Sequence, residues 1–315
     1  MSWLKFVNFL VTGGGGFIGS HLIEELVKQG DDVTVIDNFT TGKKENLAKV
    51  INKIHLYEGS INDFDLLKSL IKGKDGIFHQ AALASVQESF ARPQEYQMVN
   101  VMGTKNILQL AKEFGAKIVY ASSSSVYGNP VKIPIQEDDP KNPINPYAQT
   151  KLDDEHLASE YAKEGVRVIG LRYFNVFGER QSEQYAGVIK KFVKRVRNNE
   201  PPTIYGDGSQ TRDFVYVGDV VRANILAMKS NVDHSFFNIG TNTSISVLEL
   251  ANLIVSAFGS KLKPIHAPSL PGDVQITQAD ISHAKKMLGW EPKAEIRQWL
   301  QDTIAAKTNL DSITN

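Results

Sequence analysis

A glycine-rich turn near the start of the chain constrains the fold more than any other feature. Thr12-Gly13-Gly14-Gly15-Gly16-Phe17-Ile18-Gly19 follows a short apolar run and opens an amphipathic helical pattern over residues 17–29. In a strand–turn–helix unit of this kind, backbone N–H groups and the helix N-terminus point at a bound anion. Gly13 permits the tight turn, Gly16 lets a pyrophosphate approach the backbone, and Gly19 lets the helix pack on the sheet.

Short apolar runs alternate with helical patterns over the first half of the chain. The predicted strands are Phe6–Thr12, Asp32–Asp37, Lys53–Glu58, Gly76–His79, Lys117–Ala121 and Arg167–Leu171, and the predicted helices lie near residues 17–29, 63–72, 98–114 and 147–163. Such alternation implies right-handed crossovers and a parallel sheet covered on both faces. The expected fold class is therefore α/β, with a doubly wound parallel sheet of the Rossmann type.

The alternation breaks after about residue 174. Loops rich in glycine, proline and charged residues then separate shorter helices, predicted near residues 186–197, 217–229, 247–258 and 295–306. We predict a Rossmann domain over residues 1–173 that carries the catalytic groups. Residues 174–315 are predicted to form mainly a smaller α/β cap that binds substrate, with some segments returning to the first domain.

Asp37 strengthens the interpretation of the glycine turn. It ends the second predicted strand, at about the 20-residue distance from the glycines that dinucleotide-binding folds require. A carboxylate there accepts hydrogen bonds from the adenosine ribose hydroxyls and repels a 2′-phosphate. The pattern predicts NAD as the cofactor in preference to NADP.

A Tyr-x-x-x-Lys pair lies in the middle of the chain. Tyr147 and Lys151 follow Pro146 on a predicted helix, where positions i and i+4 share one face. Upstream, the serine run of residues 122–125 follows a predicted strand and supplies a hydroxyl at the carboxyl edge of the sheet, where ligands bind in such folds. The three elements predict an active site.

The chemistry of these residues is proton and hydride transfer. We predict that Tyr147 takes a proton from a substrate hydroxyl, which the resemblance given below implies is a sugar hydroxyl, while hydride leaves the same carbon for NAD⁺. A cation about 4 Å away stabilises a phenolate by about 4 kcal/mol at an effective dielectric constant of about 20, so Lys151 and the positive nicotinamide are sufficient. Ser123 hydrogen-bonds the reacting oxygen and helps to relay the proton.

The chain resembles the extended short-chain dehydrogenase/reductases, and among them most closely the nucleotide-sugar 4-epimerases that act on UDP-glucose or UDP-N-acetylglucosamine. Beyond the two motifs above, the resemblance rests on His79-Gln80-Ala81-Ala82, Asn100, Leu171-Arg172-Tyr173-Phe174-Asn175-Val176-Phe177-Gly178, Gly206-Asp207-Gly208-Ser209-Gln210-Thr211-Arg212-Asp213-Phe214 and Pro271-Gly272-Asp273. It implies that NAD stays bound, that a 4-keto sugar forms and rotates, and that the net reaction is redox neutral.

The resemblance also implies a set of site residues. The catalytic residues are Ser123, chosen by its distance from Gly128, with Tyr147 and Lys151; Ser122 and Ser124 remain alternatives to Ser123. The implied cofactor-binding residues are Gly13, Gly16, Phe17, Ile18, Gly19, Asp37, Asn38, Ser60, Ile61, Gln80, Ala81, Ala82, Asn100, Tyr147, Lys151 and Tyr173. The implied substrate-binding residues are Ser85, Ser123, Ser124, Tyr147, Asn175, Val188, Tyr205, Arg212, Asp273 and Thr277.

Within that substrate set the resemblance implies separate roles. Asn175 holds the phosphates of the nucleotide sugar, Arg212 clamps the diphosphate, and Asp273 contacts the nucleotide ribose. The chain departs from the family pattern at three positions. Leu270 replaces a second diphosphate arginine, Ser60 replaces an aspartate that contacts adenine, and Thr277 replaces a large aromatic residue near the sugar. The small Thr277 leaves space for an N-acetyl group.

Three other functions remain open from the sequence. A nucleotide-sugar 4,6-dehydratase starts with the same oxidation, but such enzymes carry Asp-Glu after the catalytic hydroxyl residue, where this chain has Ser124 and Ser125. A UDP-uronate 4-epimerase has the same catalytic groups. A non-catalytic NAD-binding regulatory protein has no need to keep Ser123, Tyr147 and Lys151 together.

Composition limits the partners. The 35 basic and 35 acidic residues balance, which argues against nucleic acid and anionic membranes and favours a small-molecule partner. With no cysteine and no metal-ligand spacing, the sequence predicts neither disulfides nor a metal site. No apolar run reaches the length of a membrane span, so a cytoplasmic location is expected. The resemblance suggests a homodimer formed by the helices near 98–114 and 147–163.

Overall fold

The computed structural model of the protein describes residues 7–181 and 187–305. Phe6, in the first predicted strand, and the ends of two predicted helices at residues 186 and 306 lie outside the described residues. Within them, strands and helices alternate as the sequence predicts for the first half.

The strands are β1 (Asn8–Thr12), β2 (Asp32–Asp37), β3 (His55–Glu58), β4 (Gly76–His79), β5 (Lys117–Ser123), β6 (Val168–Tyr173), β7 (Asn175–Phe177), β8 (Thr203–Tyr205), β9 (Thr211–Arg212), β10 (Phe214–Tyr216), β11 (His234–Ile239), β12 (Ile245–Ser246) and β13 (Ile265–Ala267). The α-helices are α1 (Phe17–Gln29), α2 (Phe64–Ile71), α3 (Val86–Ala91), α4 (Pro93–Tyr96), α5 (Gly103–Phe114), α6 (Pro146–Lys163), α7 (Val188–Arg197), α8 (Val217–Lys229), α9 (Val247–Ala257), α10 (Ser282–Leu288) and α11 (Ile296–Ala305).

A seven-stranded sheet forms the centre of the fold, in the order β11-β6-β5-β4-β1-β2-β3. The strands from β1 to β5 pair in parallel. Val168 N–H bonds to Asp233 O and Phe174 N–H bonds to Ile239 O, so β6 and β11 also run in the same direction. The strand order reverses between β1 and β4, and this confirms the predicted doubly wound Rossmann-type sheet.

Local sequence signals explain the ends of the principal helices. The Asp63 carboxylate accepts a bond from Leu66 N–H and caps α2, which therefore begins at Phe64. The Asn145 side chain accepts a bond from Ala148 N–H, and Pro146 occupies the first position of α6. The start of the helix that carries Tyr147 is thus fixed by its cap.

The observed elements depart from the predicted ones in several places, and β5 and β6 each extend two residues further, to Ser123 and Tyr173. Residues Ile51–Lys53 form a 3₁₀ turn, in which Lys53 N–H bonds to Val50 O, so β3 begins only at His55. The segment Gln97–Met102 is a π-helical turn that leads into α5, a distinction that apolar periodicity cannot make. The strand β11 was not predicted, because it exists through pairing with the distant β6.

The chain divides into two compact units. The first comprises Met1–Ser123, Asn145–Arg172 and Val221–Phe237, and the second comprises Ser124–Ile144, Tyr173–Val220 and Asn238–Asn315. The units therefore do not meet at one boundary in the sequence. The first unit has an apolar core with Leu10, Ile77, Ile107, Ile118 and Val168 among its buried side chains.

The second unit has its own core and three small sheets. Phe177, Phe192, Ile204, Leu250 and Leu300 are among its buried side chains. In its sheets, β7 pairs with β10 and β8 with β13 in parallel, whereas β9 pairs with β12 antiparallel. Three of the residues that the sequence assigns to substrate lie on these strands: Asn175 on β7, Tyr205 on β8 and Arg212 on β9.

Candidate active site

The glycine turn joins β1 to α1 and leaves no room for side chains. Gly13 has φ of 68°, and a Cβ added there would lie 2.6 Å from Ala81 N. A Cβ on Gly19 would overlap Gly13 O, whereas one on Gly16 would approach only that oxygen, at 3.1 Å. Gly16 is the N-cap of α1 and supplies no capping side chain, and the first turn of α1, with Phe17 and Ile18, contains no acidic residue. The turn is a bare backbone cradle at a helix N-terminus, suited to an anion.

Asp37 ends β2 beside this cradle. One carboxylate oxygen accepts a bond from Gly15 N–H at 2.8 Å, and the other accepts one from Phe39 N–H at 2.7 Å. Burial raises the pKa of the Asp37 carboxyl, and the two backbone bonds oppose that rise. Because each oxygen has a further lone pair, the carboxylate keeps capacity for ribose hydroxyls.

The other predicted cofactor residues mostly follow the carboxyl ends of the parallel strands. Asn38 follows β2, and its side chain accepts a bond from Thr40 N–H. Ser60 and Ile61 follow β3; the Ser60 hydroxyl accepts a bond from Asn62 N–H, while Ile61 packs in the core. Gln80, Ala81 and Ala82 follow β4. Because parallel strands end at one edge of the sheet, this placement fits the ligand edge of the fold.

The side chains of two predicted cofactor residues, Gln80 and Asn100, form hydrogen bonds within the protein. The Gln80 amide donates to Asn224 Oδ1 at 3.0 Å. The Asn100 side chain, within the π-helical turn, accepts from Leu83 N–H and donates to Leu83 O and Thr150 Oγ1. With both amide hydrogens committed, Asn100 holds the segment after Ala82 in place, and its predicted direct contact with the cofactor stays a prediction.

The structure shows a buried series of hydrogen bonds centred on His79, beside the glycine turn, that the sequence did not predict. Thr12 Oγ1 lies 2.7 Å from His79 Nδ1, and Thr104 Oγ1 lies 3.0 Å from His79 Nε2. Burial, with a smaller contribution from the positive charge of Lys151, lowers the pKa of His79 to about 3. The imidazole is therefore neutral at physiological pH, and it links β1, β4 and α5. The motif position of His79 was visible in the sequence, but its two hydroxyl partners were not.

The helix α6 carries the predicted catalytic pair. Tyr147 lies in its first turn and is half-buried, whereas Lys151 is buried one turn later. Lys151 Nζ lies 3.2 Å from Asp154 Oδ2, and both side chains are almost entirely out of solvent. Burial raises the pKa of Asp154 to about 6, while the nearby Lys151 charge opposes this rise. Asp154 was not singled out in the sequence, because a charge on a helix usually faces solvent.

The serine run divides into separate roles. Ser122 is buried, and its hydroxyl donates to Glu155 Oε1 at 2.6 Å. Arg172 binds both oxygens of the same carboxylate, with Nε and Nη2 each 2.8 Å from an oxygen. Ser123, which ends β5, is only partly buried. Ser122 is therefore committed to this ion pair, and Ser123 as the catalytic hydroxyl stays a prediction.

Of the other predicted residues, Ser85 caps α3 through a bond from Glu88 N–H. Tyr173 ends β6 and is buried. Ser124 begins a 3₁₀ turn over Ser124–Tyr127 in the second unit.

Four predicted substrate residues are held by strands and a helix of the second unit. Arg212 lies on β9, and its guanidinium donates to Asp273 Oδ1 at 2.5 Å and to Thr211 O at 2.8 Å. Asn175 begins β7, and its N–H bonds to Asp213 O. Tyr205 ends β8 and is exposed, and Val188 begins α7. The unit thus places an arginine and a carboxylate, of the types that bind a diphosphate and a ribose, in direct contact.

Thr277 has a structural role that the sequence did not indicate. It is only 6% exposed, and its hydroxyl accepts a bond from Asp213 N–H at 3.1 Å. Its backbone N–H bonds to Thr211 O. A large residue here would break these contacts. The predicted sugar contact of Thr277 stays a prediction, and a substitution at this position also tests the packing around Asp213.

Comparisons with known proteins identify the family. Residues 9–240 match the model of the NAD dependent epimerase/dehydratase family. The chain is similar to a Thermotoga maritima UDP-glucose 4-epimerase solved with UDP-glucose, at 38% identity and a TM-score of 0.91 over 96% of this chain and 99% of that one. It is also similar to a UDP-N-acetylglucosamine 4-epimerase from Methanobrevibacter ruminantium solved with UDP-N-acetylmuramic acid, at 36% identity and a TM-score of 0.90 over 97% and 99% of the two chains.

A third relative is named as a decarboxylase and not as a 4-epimerase. A Bacillus cytotoxicus UDP-N-acetyl-alpha-D-glucosaminuronate decarboxylase is 37% identical over 94% of this chain and 96% of that protein. The chain therefore belongs to the NAD dependent epimerase/dehydratase family of nucleotide-sugar enzymes, within the extended short-chain dehydrogenase/reductases. It is an enzyme, and its cofactor is NAD.

The residues present fit this cofactor. The turn excludes side chains at Gly13 and Gly19, the N-terminus of α1 is free of acidic residues and suits a pyrophosphate, and Asp37 remains able to accept ribose hydroxyls. Over residues 7–181 and 187–305, no helix is both long enough and apolar enough to cross a membrane. Over the same residues, no group of three or more His, Cys, Asp or Glu side chains could hold a metal ion.

Proposed function

We propose that the chain is a 4-epimerase of a nucleotide sugar and that its substrates are UDP-GlcNAc and UDP-GalNAc. The observation that carries the reaction type is the placement of three groups in the first unit. Tyr147 and the buried Lys151 lie on one face of α6, and Ser123 ends β5 with its neighbour Ser122 committed elsewhere. These are the base, the cation and the hydroxyl that oxidation of a sugar alcohol requires.

In the proposed reaction, Tyr147 accepts the proton of the C4 hydroxyl and later returns it. Ser123 hydrogen-bonds the same oxygen, and Lys151 stabilises the phenolate by its charge. NAD, when bound at the glycine turn and Asp37, would supply the hydride acceptor for oxidation at C4 and the hydride donor for its reversal. The protein therefore retains a 4-keto sugar between the two transfers, and the net reaction consumes no cofactor.

A 4,6-dehydratase is disfavoured by the residues after Ser123. Elimination of water needs an acid and a base near C5 and C6. The chain offers Ser124 and Ser125 at those positions, and neither hydroxyl is a base at neutral pH. Epimerisation needs no such pair.

The second unit is proposed to bind the nucleotide sugar. Arg212 holds the diphosphate, Asp273 the nucleotide ribose and Asn175 the phosphates. The Arg212–Asp273 contact keeps the guanidinium oriented before the substrate arrives. Leu270, which takes the place of a second diphosphate arginine in the family pattern, is partly exposed, so Arg212 bears the larger share of binding.

The preference for an N-acetyl sugar rests on the size of Thr277. A small side chain leaves space for the acetamido group as the 4-keto sugar rotates. The similarity to a UDP-N-acetylglucosamine 4-epimerase supports this choice, and the similarity to a UDP-glucose 4-epimerase is the reason to test plain hexoses beside it.

We also propose a homodimer formed through α5, α6 and the turn before α5. Met98 and Met102 of this turn are exposed apolar side chains, with exposures of 55% and 40%, and Phe90 on the preceding α3 is 46% exposed. A second copy of the chain would bury them. Light scattering of the protein and of Met98→Glu tests this, since a charge at the interface is expected to give monomers.

One experiment tests the reaction and the substrate together. The purified protein is incubated with UDP-GlcNAc, UDP-glucose, UDP-glucuronate, UDP-N-acetylglucosaminuronate and GDP-GlcNAc, and products are identified by NMR. We expect UDP-GalNAc from UDP-GlcNAc, with NAD copurifying and no net NADH formed. Release of CO₂ from either uronate would instead support a decarboxylase, the activity named for one relative. A 4-keto-6-deoxy product would support a dehydratase.

A second experiment tests the choice of sugar. Thr277→Tyr adds a ring where the acetamido group must turn, so kcat/KM should fall more for UDP-GlcNAc than for UDP-glucose. A difference of about 2 kcal/mol is a shift of about thirtyfold in the ratio of the two values. The ratio is the right readout because it is independent of the folded fraction, which the loss of the Asp213 contact will lower. Equal losses on both sugars would remove the argument for an N-acetyl substrate.

A further inference from the structure

We propose that Asp154 is a positioning residue that sets how strongly Lys151 stabilises the Tyr147 phenolate. This proposal deepens the proposed function, because it rests on Tyr147 as the base and Lys151 as its cation. It concerns a carboxylate that contacts the lysine, and it assigns that carboxylate no contact with substrate.

The geometry sets Asp154 apart from the other acids of α6. Lys151 Nζ and Asp154 Oδ2 lie 3.2 Å apart, and the side chains are 4% and 0% exposed. Asp153, the adjacent residue, is half-buried and accepts a bond from Gln149 instead. Because screening by water and salt is weak for buried charges, the charge of Asp154 acts on Lys151 far more than that of Asp153.

The groups around Asp154 do not neutralise its negative charge. Glu155 is bound at both oxygens by Arg172, and this ion pair is internally neutral. His79 is held neutral, since burial lowers its pKa to about 3. The Thr104 hydroxyl faces the Asp154 carboxylate, and Tyr120 stays protonated because burial raises its pKa well above the usual value. Asp154 therefore faces Lys151 as a carboxylate among neutral groups and a balanced pair.

Two consequences follow for Tyr147. The bond to Asp154 fixes where the ammonium lies along α6. The negative charge also cancels part of the field with which Lys151 favours a phenolate. The phenolate then forms at higher pH than it would beside an unpaired lysine, and a neutral side chain at position 154 should let it form at lower pH.

The first test needs no substrate. The ultraviolet absorbance of the phenolate is titrated in the NAD-bound protein, with the Tyr147→Phe protein subtracted, for wild type, Asp154→Asn and Asp153→Asn. We expect the Tyr147 ionisation to move to lower pH by on the order of one pH unit in Asp154→Asn. Asp153→Asn removes the same formal charge from the same helix and should shift it by less than about 0.3 unit. Equal shifts in the two variants, or none in Asp154→Asn, would overturn the proposal.

The second test is the pH dependence of kcat/KM. The acidic limb should move to lower pH in Asp154→Asn, by the same amount as the Tyr147 ionisation in the substrate-free titration. A purely structural role would instead lower kcat at every pH and leave the limb where it is. Such a result would contradict the proposal.

A third test uses the pH profile of the wild-type protein, so it does not depend on the folding of a variant. Burial raises the pKa of Asp154 to about 6, so the carboxylate takes up a proton as the pH falls through this value. Its neutralisation then favours the phenolate, and the limb should flatten near pH 6 compared with a single ionisation. If the acidic limb of the kcat/KM profile has the slope of a single ionisation at every pH, the proposed role of Asp154 is contradicted. If no sugar nucleotide is turned over, the proposed function fails, while the substrate-free titration still decides the role of Asp154.

Discussion

The Ser122 hydroxyl donates a 2.6 Å hydrogen bond to Glu155 Oε1, and this bond joins the end of β5 to the middle of α6. The two elements it joins carry the catalytic groups, because Ser123 follows Ser122 and Lys151 lies one turn before Glu155. Arg172, at the end of β6, completes the contact by holding both oxygens of Glu155. A buried ion pair thus fixes the distance between strand and helix.

The adjacent serines should respond differently to substitution. Ser123→Ala removes the hydroxyl beside the reacting oxygen and should lower kcat by on the order of a hundredfold, with little change in stability. Ser122→Ala leaves Glu155 short of a donor and should cost about 1–3 kcal/mol of unfolding free energy, with a smaller effect on kcat. Steady-state kinetics and urea unfolding of both variants check the contrast. The reverse pattern would make Ser122 the catalytic residue.

Tyr147→Phe removes the proposed base without changing the shape of the ring. We expect kcat to fall by about a thousandfold or more, while bound NAD is retained. Turnover by NMR and the cofactor content of the purified protein are the measurements. Near-normal turnover would mean that the reaction is assigned wrongly.

Removing one partner of the buried ion pair between Glu155 and Arg172 should lower the free energy of unfolding more than removing both partners. Glu155→Gln leaves Arg172 buried without its counter-charge and should lower the free energy of unfolding by about 3–5 kcal/mol. The double variant Glu155→Leu with Arg172→Leu removes both charges and should recover much of this loss. Urea unfolding of Glu155→Leu, Arg172→Leu and the double variant measures the coupling between the two side chains. Simple addition of two separate losses would show that the pair is not coupled.

Asp37 should select NAD over NADP. Asp37→Asn removes the charge that repels a 2′-phosphate, so the preference for NAD should fall by about tenfold or more. NAD affinity should also drop, because the amide can replace only one of the carboxylate's acceptor oxygens. Calorimetric binding of both cofactors to the cofactor-stripped protein provides the values. Asp65→Asn, an exposed charge of the same unit on α2, is the matched control and should leave both affinities unchanged.

Asp213 should give the second unit a characteristic pH dependence. Its carboxylate accepts bonds from Thr241 N–H and hydroxyl, Asn242 N–H and Ala279 N–H, yet burial is the largest influence and raises its pKa to about 6. A raised carboxyl pKa means that the folded protein binds the proton more tightly than the unfolded chain. Lowering the pH from about 7 to about 4 should therefore stabilise wild type relative to Asp213→Asn by about 2 kcal/mol. A difference that is constant with pH would show that Asp213 does not titrate in this range.

The sequence by itself determined the order of strands β1 to β6 with the helices α1, α2, α5 and α6, the glycine turn, and the residues at the carboxyl ends of these strands. These features depend on local rules: apolar periodicity, glycine where a Cβ would collide, and caps such as Asn145 before Pro146. The resemblance then supplied the family, which the comparisons confirm. The roles of individual site residues stay predictions for the experiments above.

Only the tertiary structure decided what the buried polar side chains touch. Pairing of β6 with β11, the bonds of His79 to Thr12 and Thr104, and the hydroxyl of Thr277 against Asp213 all join residues far apart in sequence. Asp153 and Asp154 are the same residue type one position apart, yet only Asp154 is buried against Lys151. The sequence carries both charges, but the rotation of α6 against the sheet decides which charge loses its water, and desolvation determines how strongly it acts on the site.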